Sequence, residues 1–75
     1  MTEWTDVKEY DIQQLQDDGT LLSSARVEAT SSEAAAKQLE SVLSDTDRIV
    51  VFLDGDPMVE MEVDYWQKRV RKKRR

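Results

Sequence analysis

The chain has 75 residues, 16 of them acidic and 11 basic, for a formal net charge of −5. That length sets one small domain, which buries about 60% of the surface its unfolded chain exposes. It has no cysteine and no histidine, which excludes disulfide staples, thiolate zinc sites, cysteine nucleophiles and the commonest general base.

In chain order, EYDIQQLQ alternates, with Tyr10 and Ile12 on one side and Glu9, Asp11 and Gln13 on the other. That is the period of a half-buried strand; Trp4 is assigned to its start. Gln14 falls where an apolar residue is due, which predicts a bulge or a strand end. DDGT supplies a hairpin turn through Asp18 and Gly19. LLSSARVEA returns as the second strand, with Leu21, Ala25, Val27 and Ala29 on one face and Arg26 and Glu28 opposite.

TSSEAAAKQLESVLSD changes period. Thr30 and Glu33 match a capping box, and the alanines, Lys37, Gln38 and Leu39 beyond are strong helix formers. Ala35, Leu39, Val42 and Leu43 make an apolar stripe, so a helix of roughly three to four turns is expected.

RIVVFL is apolar on both parities, as in a central strand. DGDP reads as a turn, and Pro57 cannot continue a central ladder. MVEMEVDYW alternates again: Val59, Met61, Val63 and Tyr65 point one way, and Glu60, Glu62, Asp64 and Trp66 the other. Met58 and Met61 are expected in the core or at a sheet edge. The order ββαββ predicts an α+β fold, a small antiparallel four-stranded sheet with one helix packed on one face. Strand order stays open.

Charge is segregated. Residues 1–67 hold four basic and all 16 acidic side chains, a formal −12, while residues 68–75 carry +7. The chain therefore divides into an acidic domain, 1–67, and a basic tail, 68–75. The tail residues Lys68, Arg69, Arg71, Lys72, Lys73, Arg74 and Arg75 suit three roles: contact with DNA or RNA phosphates, docking on an acidic protein surface, or a solvated end. Val70 lies four residues after Trp66, so the two share a face if this segment is helical.

Glu60, Glu62 and Asp64 form a second candidate site, spaced about 7 Å apart on an extended strand. Their chemistry fits a basic protein groove, including one built for nucleic acid. Trp66 beside them is either an exposed apolar anchor or is buried by a turn. Neither glycine sits in a nucleotide-binding loop, and DGDP lacks the later ligands of a calcium loop. No catalytic residue, metal, cofactor or small-molecule ligand is expected.

The run from EYDIQQLQDDGTLLSSARVEATSSEAAAKQLESVL to RIVVFLDGDPMVEMEV resembles small phage-encoded ββαββ proteins. In these, a strand ending VEA-x-S leads directly into an alanine-rich helix and then a second hairpin. The resemblance covers roughly residues 7–66, implies the fold and a viral setting, and transfers no functional residue. Among such proteins are virion accessory components and anti-CRISPR inhibitors of host nuclease complexes.

The expectation is a non-catalytic, stoichiometric binding protein, cytoplasmic or virion-associated, that docks through its basic tail. An anti-CRISPR-like use of the acidic face, or nucleic-acid binding through residues 68–75, are the alternatives. No apolar run nears the ~18 residues of a membrane span, and MTEWTDVKEY has no signal-peptide pattern, so no membrane partner is expected.

Overall fold

The computed structural model describes residues 7–70; Trp4 lies outside them. Strands β1 (Lys8–Leu15) and β2 (Leu21–Ala29) form one hairpin, and β3 (Arg48–Leu53) and β4 (Asp56–Glu62) form the second. Helix α1 (Ser32–Lys37) connects them. All pairings are antiparallel, in the order β2-β1-β3-β4, so the hairpins join through β1 and β3. The most apolar strand, β3, is therefore central and buries Ile49, Val50 and Val51. Pro57 lies on the edge strand β4, where a missing N–H is tolerated.

Both hairpin turns follow from their sequences. Gly19 adopts φ +93°, and its N–H donates to the Gln16 carbonyl at 2.8 Å. Asp54 and Gly55 have φ of 54° and 85°, the two successive positive values of a type I′ turn. A bulge falls between Gln14 and Leu15, and another between Val51 and Phe52.

Gln14 interrupts the apolar pattern without ending the strand. It faces inward with Tyr10 and Ile12 and is buried. Its Oε1 accepts from the Leu43 N–H and the Thr46 hydroxyl, both at 2.8 Å. The polar break thus holds the loop between α1 and β3 against the sheet.

Helix α1 is one and a half turns long, not the three to four expected. Ser31 is the N-cap in place of Thr30: its Oγ accepts from the Ala34 N–H at 3.0 Å. At the other end, the Gln38 and Leu39 N–H groups bond back three residues, to the carbonyls of Ala35 and Ala36, which tightens and stops the helix. The Ala36 carbonyl also accepts from Trp66 Nε1 at 2.9 Å, and Gln38 Nε2 donates to the Glu28 carbonyl at 2.6 Å. The Ala36 carbonyl, which a longer helix would use itself, is thus taken by a tertiary partner. Leu39 and Val42 still pack on the core from the loop, while Leu43 is exposed.

Strand β4 stops at Glu62, where the Val63 N–H bonds the Asp47 carbonyl at 3.1 Å. The chain then turns into α2 (Val63–Tyr65) and a π-helical turn, Trp66–Val70. The alternation expected through Trp66 is overturned: Tyr65 is 54% exposed and Trp66 only 1%. Trp66 and Val70 share an inward face and join Ile12, Ile49, Val51 and Met61 in the core. The folded body thus reaches past residue 67.

Candidate binding surfaces

The described part of the basic run grows out of this anchored turn. Because Trp66 and Val70 point inward, the intervening Gln67, Lys68 and Arg69 are exposed. Lys68 Nζ lies 3.5 Å from Asp64 Oδ2, one turn back, with both side chains more than 70% exposed. A pair so exposed contributes at most about 1 kcal/mol, so a polyanion can displace Asp64 at little cost. Arg71, Lys72, Lys73, Arg74 and Arg75 lie outside the described residues.

The acidic row does not survive as one strip. Register pairs Glu60 with Val50 and Glu62 with Arg48, so both glutamates stand on the sheet face away from α1. Glu60 Oε2 accepts from Arg48 Nη1 at 2.7 Å. Asp64 has left the strand and sits in α2. Trp66, a candidate partner anchor if exposed and a core residue if a turn buries it, is inside the core; the strand end at Val63 rotates it inward. Of the four residues expected to touch a protein partner, Glu60 and Glu62 stay together.

Sequence reasoning misses the residues that organise this end of the sheet. Asp47 Oδ2 accepts from the Asp17 N–H at 2.7 Å, and the Asp47 N–H donates to the Leu15 carbonyl at 2.8 Å. Arg48 Nη2 reaches the Asp17 carbonyl at 3.3 Å. Asp17, Asp47, Arg48, Glu62 and Asp64 line an open cleft of about 510 Å³ with Thr46 and Val63. The signal was the dipeptide Asp47-Arg48 just before an apolar strand, which reads as an ordinary polar boundary. Among the described residues, no group of three acidic side chains is arranged to hold a metal ion.

The uncovered face carries one more ion pair, Arg26 Nε to Asp11 Oδ1 at 3.5 Å. Val50 is buried on this face between its neighbours Gln13 and Glu60. Among the described residues, no helix is long and apolar enough to cross a membrane. Comparison with protein-family models, curated proteins and solved structures returned no match for this chain.

Proposed function

We propose that this chain is a non-catalytic, stoichiometric binding protein that docks through residues 68–75 onto a negatively charged partner. Its setting is that of a small phage or viral accessory protein, a virion or assembly component in the virion or host cytoplasm. The observation that carries the reading is the burial of Trp66 and Val70. The basic residues begin on a turn locked into the core, so Lys68 and Arg69 are presented from a rigid platform, which lowers the ordering cost of binding. An inhibitor that mimics phosphates with Glu60, Glu62 and Asp64 has less support. Trp66 cannot anchor it, Arg48 bonds Glu60, and Asp64 is off the strand.

Nucleic acid remains the second reading, favoured by seven basic side chains within eight residues. Anisotropy of labelled DNA and RNA against the full chain and residues 1–70, across a salt series, separates the two. Tail-dependent binding with a slope approaching about −0.9 per phosphate neutralised on duplex DNA identifies nucleic acid as the partner. No binding at moderate salt leaves an acidic protein surface. Equal binding by both chains, and by the full chain carrying K68E and R69E, would refute docking through the basic run.

A further inference from the structure

Among the described residues, no element covers the sheet face away from α1. Strand parity and register place Glu9, Asp11, Glu28, Glu60 and Glu62 there, against two cations, Arg26 and Arg48. Both arginines are already committed, to Asp11 and Glu60. Glu9 and Glu28 stand directly opposite each other across β1 and β2, and no cation among the described residues pairs with either. Like charges so placed are destabilising, and a cation supplied from outside relieves them.

The same end of the face has a shape that suits a guanidinium. Glu9, Asp11, Arg26, Phe52 and Asp54 are among the residues lining an open hollow of about 280 Å³. Phe52 is half-buried and stands opposite Asp11 on the open face, where its ring can take a cation. The carboxylates around it accept the forked hydrogen bonds that arginine donates. An apolar floor inside an acidic rim sets this hollow apart from a merely solvated charged surface. The chain carries the matching chemistry itself, in Arg71, Lys72, Lys73, Arg74 and Arg75. They follow Val70, which packs in the core on the helix side. The chain's own run therefore starts with the sheet between it and the hollow, and five extended residues span only about 17 Å.

We propose that this hollow receives residues 71–75 of a second copy of the chain. One arginine lies over the Phe52 ring and forks onto Glu9, while its neighbours answer Glu28 and Asp54. Resting on the reading that the basic run is the docking element, this identifies its acidic partner as the same protein. The contact is heterologous, run to face, so each pair keeps one free face and one free run. Association then continues from copy to copy unless it closes into a ring. A small charged contact of this kind is weak and falls apart in salt.

Sedimentation velocity of the full chain at low salt is expected to show assemblies that grow with concentration and dissolve at high salt. Two full-length variants divide the contact. R71Q/K72Q/K73Q/R74Q/R75Q keeps the face and loses the run, whereas E9K/E28K keeps the run and loses the face. Each alone should associate about tenfold more weakly or worse, and their mixture should form a one-to-one complex and nothing larger. Glu9 and Glu28 are both exposed, and two lysines reproduce their like-charge opposition, so circular dichroism should find E9K/E28K folded. A native chain that stays monomeric at millimolar concentration, E9K/E28K that associates like the native chain, or a mixture that forms no complex would each overturn the proposal. Heparin separates it from the reading beneath it. Retention that the five glutamines weaken, without self-association, removes the second copy and leaves docking through residues 68–75 standing. Neither retention nor association would sink both.

Discussion

Gln14 occupies a position where the alternation of β1 calls for an apolar side chain, and its amide oxygen serves two donors from the loop before β3. Replacing it with leucine raises hydrophobicity but strands the Leu43 N–H and Thr46 hydroxyl. The expected result of Q14L is a loss of about 1–3 kcal/mol, read by urea denaturation. Asp18 makes the opposite kind of contribution, local and solvent-exposed. Hydrogen bonds from the Thr20 hydroxyl and then the Thr20 backbone N–H hold its carboxyl below the ordinary value of 3.8. The folded-state pKa is thus the lower one. The turn's contribution is present above 3.8 and is lost as pH falls through the folded value. An NMR titration should find the Asp18 midpoint below 3.8, and T20A should move it upward.

At the scale of the element, the competing caps of α1 give a direct comparison. S31A removes the side chain that accepts from the Ala34 N–H and should cost about 1 kcal/mol. T30A, at an exposed position outside the helix, should stay within about 0.5 kcal/mol. A thermal melt of each distinguishes Ser31 capping from the Thr30–Glu33 box. The strands are legible in the sequence because period two survives through Tyr10, Ile12, Val59 and Met61, and the turns because Asp-Gly has few other uses. The helix length is not legible. The residues from Ala34 to Leu43 have helical propensity and spacing, but the helix ends where Ala36 meets Trp66, thirty positions away. Trp66 is ambiguous for a related reason: which way it points depends on the bond between Val63 and Asp47, which local periodicity does not encode.

For the whole molecule, the boundary between acidic body and basic run is legible as charge but misplaced as structure. Counting charges puts it after Gln67; packing carries the body at least to Val70, which is 5% exposed in the core. Truncation to residues 1–70 keeps every core residue identified among the described residues and is expected to leave stability within about 0.5 kcal/mol. Truncation to residues 1–67 removes a buried valine and should cost about 1.5–3 kcal/mol from that side chain alone. Denaturant midpoints of the two chains check this. The same comparison decides whether binding lost on truncation reflects missing charges or a damaged fold. The candidate partner surfaces are legible only in part, because Glu60 and Glu62 share a face by strand parity while Asp64 and Trp66 owe their positions to the turn.

Because the π-helical turn is bolted to the core by Trp66 and Val70, the fold can act as its own reporter of occupancy. A ligand that grips Lys68 and Arg69 also opposes the fraying of that turn, and binding to the native state alone raises stability by mass action. Candidate partners can then be ranked by how far they shift the melting temperature of the unlabelled chain, read from the fluorescence of Trp66 in a W4F background so that Trp4 does not contribute. A partner that engaged residues beyond Val70 without clamping the turn would bind without that upward shift in intrinsic fluorescence melting.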